Sequence, residues 1–249
     1  MTHPLAGKTA LVTGGSRGIG AAIVRRLARD GAQVVFTYLR SVDLAEKVAR
    51  ELAIAGGRSL AVQADSGDPE AVCAAVARTV ETFGGLDILV NNAGLSIRKP
   101  VGDVTLEDFD VMVGVSLRGP YATIQAALPH LPDDGRIVNI GSIWADHLPL
   151  PVAHLGMSLY TMTRAATAGL TRALAQELGP RGITVNNVQP GTTRTDLVPD
   201  RLMEVLRPMI PLGRIGEPAD VAGAVAYLVG PDARFVTGAS WNVDGGYMT

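Results

Sequence analysis

The amino-acid sequence predicts an α/β protein built on a parallel sheet of about seven strands, with helices on both faces. Short β-branched segments alternate with longer segments of helical periodicity, which is the pattern of such a sheet. The β-branched segments are almost continuously apolar, as strands buried on both faces should be. The chain has 249 residues, 47% of them apolar, and no linker. We therefore predict one doubly wound domain over residues 1–249.

Seven segments are predicted to form the strands. In order they are TALVTG, AQVVFTY, RSLAVQAD, LDILVNNAG, GRIVNIGS, GITVNNVQPG and GASWNVDGG. The helices are predicted in GIGAAIVRRLARDG, SVDLAEKVARELAIAGG, DPEAVCAAVARTVETFG, TLEDFDVMVGVSLRGPYATIQAALPHL and LYTMTRAATAGLTRALAQELG. Asp68 with Pro69 indicates a helix start, and Gly31, Gly84 and Gly179 follow helix ends.

Composition and charge argue against several classes of function. The 22 basic and 24 acidic residues leave a net charge of −2, which favours neither nucleic acid nor an anionic membrane as a partner. No signal-peptide pattern and no run of about 18 apolar residues occurs, so we expect a cytoplasmic protein. The single cysteine, Cys73, lies in a helical apolar pattern that predicts a buried, unreactive thiol. We predict no metal site.

The segment VTGGSRGIG joins the first strand to the first helix. Its glycines at 14, 18 and 20 permit a tight turn and the close approach of a pyrophosphate, which the helix N-terminus would bind. The strand-to-helix context supports a dinucleotide site of the Rossmann type; the alternative is a glycine-rich turn without a ligand.

The end of the second predicted strand indicates which dinucleotide binds. NAD sites usually place a carboxylate there for the ribose 2′-hydroxyl, but this sequence has Arg40 and Ser41, and Arg17 lies in the glycine loop. Arginines without an acid suit a 2′-phosphate, so we predict NADP(H); the alternative is that they are surface residues without a role. Asp65 is a candidate acceptor for the adenine amino group, and residues 91–94 offer an amide and a small backbone to a ribose.

Residues 192–218 interrupt the alternation with four prolines and two glycines. The segment follows a predicted strand at its carboxyl end, where such sheets bind ligands. We predict a substrate lid; the alternative is a surface loop without a role.

Six motifs occur in one order along the chain. They are TGGSRGIG at 13–20, NNAG at 91–94, Ser142, Tyr160, QPGTTRT at 189–195 and NVDGG at 242–246. This set resembles the short-chain dehydrogenase/reductase family over essentially the whole chain, and most of all its 3-oxoacyl-reductase and ketoreductase branch. It is also similar to a subgroup that includes a cyclic-dinucleotide-binding regulator.

The resemblance implies an enzyme that interconverts a carbonyl and an alcohol, acts on a small molecule and forms a homotetramer. Tyr160 would be the general acid/base, and Ser142 would orient the carbonyl oxygen. The motifs and the resemblance together predict NADP(H) contacts from Gly14, Ser16, Arg17, Gly18, Ile19, Gly20, Arg40, Ser41, Asp65, Ser66, Asn91, Ala93, Gly94, Tyr160, Arg164, Pro190, Gly191, Thr193 and Thr195.

The sequence departs from the family pattern at three places. Arg164 stands where Tyr-x-x-x-Lys has lysine, Ser116 stands where an asparagine is usual, and Tyr160 follows Ser142 by 18 residues rather than about 13. The additional residues fall in PLPVAHLGMSL, which we expect to line the substrate mouth. We expect His147 and His154 to be exposed loop residues.

Arg164 can supply a positive charge beside the phenol, but arginine does not release a proton in proteins. Ser116 reaches less far than an amide, so both departures weaken the family's proton relay. Three interpretations remain open: a reductase with an altered relay, a non-catalytic nucleotide- or cyclic-dinucleotide-binding regulator, and an isomerase- or dehydratase-like member.

Overall fold

The structure is a computed structural model that describes residues 3–149, 152 and 154–249. All the strands that it describes form one parallel sheet in the order β3-β2-β1-β4-β5-β6-β7. They are β1 Thr9–Val12, β2 Gln33–Tyr38, β3 Ser59–Gln63, β4 Ile88–Asn91, β5 Arg136–Ile140, β6 Thr184–Pro190 and β7 Ser240–Val243. The chain builds outward from β1 to one edge, returns to the centre and builds to the other edge. The predicted doubly wound fold is therefore confirmed.

Helices pack on both faces of the sheet. They are α1 Gly18–Arg29, α2 Val42–Ile54, α3 Pro69–Phe83, α4 Leu106–Val113, α5 Gly119–Ala127, α6 Ser158–Leu178, α7 Asp200–Leu206 and α8 Pro218–Val229. Val12 of β1 packs with α1 and α8 in one apolar cluster. Its neighbour Leu11 packs with α3, α5 and α6 in another. Alternate residues of a central strand thus serve two cores, which explains the continuous apolar runs.

The ends of α3 follow the sequence signals. The Asp68 carboxylate accepts a hydrogen bond from the Glu70 amide at 2.9 Å, and Gly84 takes a left-handed conformation with φ 84°. Gly179 directly follows the end of α6, as predicted, but its φ is −52° and the chain continues into a 3-10 turn. The left-handed residue is Gly182, with φ 67°.

The prediction that Cys73 is buried was wrong. Its thiol is exposed, because the buried stripe of α3 consists of Val72, Ala75, Val76 and Thr79. The prediction failed because Cys73 is surrounded by apolar residues in the sequence, whereas only a narrow stripe of the helix faces the sheet. In the part of the chain that the structure describes, no helix is both long and apolar enough to cross a membrane.

Candidate active site

A cleft of about 520 Å³ opens at the carboxyl ends of the strands, where the strand order reverses between β1 and β4. This is where ligands bind in doubly wound sheets. The cleft is lined by all the predicted site residues except Asn91 and Ser116. Lining residues that the sequence did not single out include Thr37, Asn92, Arg98, Trp144, Thr192 and Asp196. Topology alone therefore brings motifs from distant parts of the chain to one place.

The glycine loop is held closely against the end of β4. The Asn92 amide donates hydrogen bonds to the carbonyl oxygens of Thr13 and Gly14 at 2.9 and 3.0 Å. A Cβ at Gly20 would overlap the Gly14 oxygen and would lie 2.5 Å from that amide. Glycine at position 20 is therefore required by close packing. Asn92, rather than its neighbour Asn91, supports the loop.

The N-terminus of α1 opens into the cleft without a capping side chain. Arg17 occupies the N-cap position but makes no capping hydrogen bond, and the first turn contains no acidic residue. The first N–H groups of the helix and its positive dipole end are thus available to an anion. The Arg17 guanidinium itself forms an exposed ion pair with Asp196, with N–O distance 3.1 Å, across the cleft.

The part of the cleft at the end of β2, where the sequence predicts the adenine end of the dinucleotide, carries positive charge; we call it the adenine end. Arg40 and Ser41 line the cleft there, directly after Tyr38 and Leu39, and no carboxylate follows the strand. At the end of the neighbouring β3, one oxygen of Asp65 accepts from the Gly67 amide at 2.8 Å. The other Asp65 oxygen therefore remains a hydrogen-bond acceptor on the side of the cleft that also carries Arg40.

The Asn91 side chain turns away from the cleft, although the sequence predicts an NADP(H) contact from this residue. Its amide donates to the Asn139 carbonyl oxygen at 2.9 Å, and Asn139 in turn donates to the Thr171 hydroxyl at 2.9 Å. Asn91 is 4% exposed. It lies at the last position of β4, so its side chain points into the helix layer and joins a buried polar chain to α6.

Ser142 and Tyr160 form the opposite end of the cleft. Ser142 follows β5, is 5% exposed and accepts a hydrogen bond from the Trp144 amide at 3.2 Å. Tyr160 lies in the first turn of α6, half-buried, and the Trp144 ring meets its ring edge-on with centroids 6.2 Å apart. The turn after Ser142 therefore orients both hydroxyl groups: the Trp144 backbone amide holds that of Ser142, and the Trp144 indole holds the ring of Tyr160.

Arg164 is buried beside Tyr160. It is 8% exposed, and one of its terminal nitrogens donates to the Ile140 carbonyl oxygen at 3.1 Å. The other terminal nitrogen lies where a Cβ at Gly94 would be only 2.5 Å away. Its Nε finds no partner among the described residues. The guanidinium therefore fits here only because residue 94 is glycine.

Ser116 does not line the cleft. It lies in a π-helical turn, Gly114–Arg118, between α4 and α5, and it is 3% exposed. Its hydroxyl oxygen has no hydrogen-bond partner within the described part of the chain. Such turns often mark functional positions, but this hydroxyl forms no hydrogen bond to Arg164.

The segment PLPVAHLGMSL before Tyr160, expected to line the substrate mouth, does not line the cleft where it is described. Val152 and Met157 join Ile143, Trp144 and Leu206 in an apolar cluster. His147 and His154 are exposed, as expected. Leu150, Pro151 and Ala153, also expected at the substrate mouth, lie outside the described residues. Leu206 belongs to α7, so the loop is tied to residues 192–218.

The two ends of the segment 192–218 are joined to each other beside the cleft. Thr193 pairs with Gly216, and the Gly216 amide donates to the Thr192 oxygen at 3.0 Å. Thr192, Thr193 and the segment 195–198 line the cleft.

Gln189 is a buried functional neighbour that the sequence did not reveal. It precedes Pro190, is 1% exposed, and its amide donates to Asp146 at 2.8 Å and to Asn242 at 2.9 Å. It thereby joins the turn after Ser142 to β6 and β7. Its polar character alone did not mark it, because Asn186 and Asn187 lie in the same strand.

Comparison with known proteins shows similarity along nearly the whole chain. Residues 14–248 match a family model described as enoyl-(acyl carrier protein) reductase. The cyclic-di-GMP-binding biofilm dispersal mediator protein of Escherichia coli K12 is 42% identical over 243 residues, covering 97% of this chain and 97% of that protein. A 3-oxoacyl-(acyl carrier protein) reductase of Staphylococcus aureus is 38% identical over 247 residues, covering 97% and 98%.

A solved structure shares the same fold. A short-chain dehydrogenase from Burkholderia cenocepacia J2315 in complex with NADP is 47% identical, with a TM-score of 0.94 over 99% of this chain and 100% of that one.

Proposed function

The chain belongs to the short-chain dehydrogenase/reductase family, and we propose that it is an NADP(H)-dependent reductase that interconverts a ketone or aldehyde and an alcohol. The observation that carries the proposal is the cleft itself. Ser142 and Tyr160 stand at one end of it, and a basic, acid-free strand end with an open helix N-terminus stands at the other. Family membership supports an oxidoreductase acting on carbonyl or CH–OH groups.

The residues present fit NADP(H). Gly14 and Gly20 leave no room for side chains against the loop, and the N-terminus of α1 can bind a pyrophosphate. Arg40 and Ser41 would hold the 2′-phosphate, and a relative of known structure binds NADP. Asp65 and Ser66 would contact the adenine. The nicotinamide amide would be contacted by Pro190, Gly191, Thr193 and Thr195. When bound, the cofactor supplies or accepts a hydride.

Tyr160 would give its phenolic proton to the carbonyl oxygen during reduction. The Ser142 oxygen accepts from the Trp144 amide, so its own hydroxyl hydrogen remains available to donate to that same carbonyl oxygen. The edge-on Trp144 ring holds the plane of the phenol. The two hydroxyl groups would thus serve one carbonyl oxygen, Tyr160 as general acid and Ser142 as orienting donor.

Arg164 would place a positive charge beside the Tyr160 ring, without supplying the proton that replaces the one Tyr160 loses. Its Nε and the Ser116 hydroxyl both lack partners among the described residues, so no continuous relay joins them there. We propose that proton return to Tyr160 limits turnover.

Residues 192–218 would act as the substrate lid of a single domain. Their α7 packs on the loop that precedes Tyr160, and their first part lines the cleft. Closure would exclude water from the reacting groups.

A cyclic-dinucleotide-binding regulator is the second candidate. It is favoured by the 42% identity to the biofilm dispersal mediator and by the altered relay. A regulator needs the phosphate-binding half of the cleft but no proton transfer.

The test is to mix the protein and NADPH with a panel of ketones and follow both NADPH absorbance and alcohol formation. Equal loss of NADPH and gain of alcohol is expected. Tight binding of NADPH or cyclic di-GMP without turnover of any ketone or alcohol would favour the regulator instead.

A further inference from the structure

Arg98 is a cleft residue to which the proposed reaction assigns no role. It follows the NNAG motif by four residues, lines the cleft and is half-buried. One guanidinium nitrogen donates to the Leu197 carbonyl oxygen at 2.8 Å, and Nε lies 3.3 Å from the Ser96 hydroxyl. The guanidinium is therefore held in place by two neutral acceptors, and three of its five N–H donors remain for another group.

Arg98 lies at the catalytic end of the cleft. The amide of the next residue, Lys99, donates to the Gly156 oxygen at 3.1 Å, four residues before Tyr160. Leu197, on the other side, belongs to the segment proposed as the lid. Arg98 is thus placed between the lid and the chain that leads into α6.

The charges in the cleft are not balanced at that end. The lining residues include four arginines, Arg17, Arg40, Arg98 and Arg164, and two acids, Asp65 and Asp196. Asp196 pairs with Arg17, and Asp65 lies with Arg40 at the adenine end. In the described part of the chain, neither Arg98 nor Arg164 has a carboxylate within salt-bridge distance.

NADP(H) accounts for the positive charge at the adenine end, whereas Arg98 remains unmatched. A partly desolvated guanidinium with unused donors favours a planar anion such as a carboxylate. The cleft also has apolar lining residues, among them Trp144, Leu197 and Val198. A substrate with a small apolar body and one anionic group matches this lining.

We propose that Arg98 is a specificity-determining residue that selects carbonyl substrates carrying a carboxylate, that is, oxo acids and the corresponding hydroxy acids. The proposal rests on the proposed function for its turnover consequences, but anion binding by Arg98 can be tested without turnover. A carboxylate held at Arg98 would leave the carbonyl group to Ser142 and Tyr160.

The kinetic test compares oxo acids with their methyl esters: pyruvate, acetoacetate and benzoylformate, each with its ester. The ratio of kcat/KM for acid over ester is measured in the parent and in Arg98→Gln, since intrinsic ester reactivity cancels in that comparison. We expect the ratio to fall at least about tenfold in Arg98→Gln. Arg98→Lys should retain part of it.

Lys99→Gln is the matched control for loss of one positive charge. The Lys99 ammonium pairs with Asp108 at 2.7 Å and, through that hydrogen bond, lowers the pKa of Asp108 to about 2. Lys99 does not line the cleft. The acid-to-ester ratio should be the same in Lys99→Gln as in the parent.

The binding test uses calorimetry with mandelate and methyl mandelate on the protein saturated with NADP⁺. Mandelate should bind about tenfold more weakly to Arg98→Gln than to the parent, with a smaller change for the ester.

Two results would overturn the proposal. One is an unchanged acid-to-ester preference in Arg98→Gln. The other is an equal loss for acid and ester, which would mean that Arg98 only holds the Leu197 backbone in place. If no ketone is reduced yet mandelate binding depends on Arg98, the proposed reaction fails and the anion site stands.

Discussion

The guanidinium carbon of Arg164 lies 4.9 Å from the centre of the Tyr160 ring, and Tyr160 precedes Arg164 by one turn of α6. The cation therefore faces the π-surface of the phenol, a stabilising arrangement for arginine. Its terminal nitrogens are directed to the Ile140 oxygen and to the space at Gly94. The pair places a permanent charge beside the proposed acid, with no proton to donate.

Replacing Arg164 by lysine should raise kcat for a good ketone. Lysine can exchange protons with solvent, and the proposed limitation is proton supply rather than charge. We expect a gain of about tenfold, or roughly 1.4 kcal/mol of barrier, with a smaller change in NADPH affinity. Rates at saturating NADPH measure it. Adding Ser116→Asn should increase the gain, because the two positions would act together.

A decrease in kcat is the outcome that would contradict this prediction. A lower kcat in Arg164→Lys would mean that the Ile140 oxygen and the Tyr160 ring form an environment adapted to arginine, and that lysine leaves it unpaired. The relay explanation would then be wrong.

Gly94→Ala should displace Arg164 at little cost to stability. The new Cβ would lie 2.5 Å from a terminal nitrogen of Arg164, the mobile end of a long side chain, and Gly94 has no left-handed backbone. We expect turnover to fall about tenfold while the melting temperature moves by only about a few degrees. In the Arg164→Lys background the loss should be smaller, because the shorter side chain lacks that nitrogen.

Gly102→Ala is the matched control, since nothing lies within 4 Å of its added Cβ. Equal losses from Gly94→Ala in the parent and in the Arg164→Lys variant would show that position 94 acts on the ligand alone.

Arg40→Asp should weaken NADPH binding and narrow the preference over NADH. The substitution places a carboxylate at the end of β2, where it repels a 2′-phosphate and accepts from a 2′-hydroxyl. Fluorescence titration with both cofactors measures the change. Arg50→Asp is the control, because Arg50 lies in α2 paired with Glu46 and outside the cleft. Equal affinities for NADPH and NADH in the parent would contradict the NADP(H) assignment.

Local patterns were sufficient to predict the sheet. Each of the seven predicted segments contains one strand. The pattern is clearest at β1 and β4, which are buried at every position, because a strand buried on both faces is apolar at nearly every position. The glycine loop was also predictable, since its glycines at 14, 18 and 20 lie close together in the sequence. Its support by Asn92 was not, because Asn92 reaches the loop only through the sheet.

Side-chain directions at the site depend on distant residues and were not predictable. Asn91 turns to Asn139, 48 positions away, and Arg17 reaches Asp196, 179 positions away. Cys73 is exposed because α3 buries a narrower stripe than its composition suggests. Gln189 binds the turn after Ser142 only because β6 brings it there. Sequence periodicity predicts that a helix or strand forms. The direction of its polar side chains depends on hydrogen-bond partners that are distant in the sequence.

The most direct test of the proposed function is ketone reduction by the parent protein and by Tyr160→Phe, with NADPH loss and alcohol formation measured together. The parent should convert NADPH to alcohol in equal amounts. Tyr160→Phe should keep the fold and the NADPH affinity and should lose about 10²–10⁴-fold in kcat, the usual contribution of a general acid. Parental turnover in Tyr160→Phe, or NADPH binding by the parent without reduction of any ketone, would contradict the assignment of Tyr160 as the acid of a carbonyl reductase.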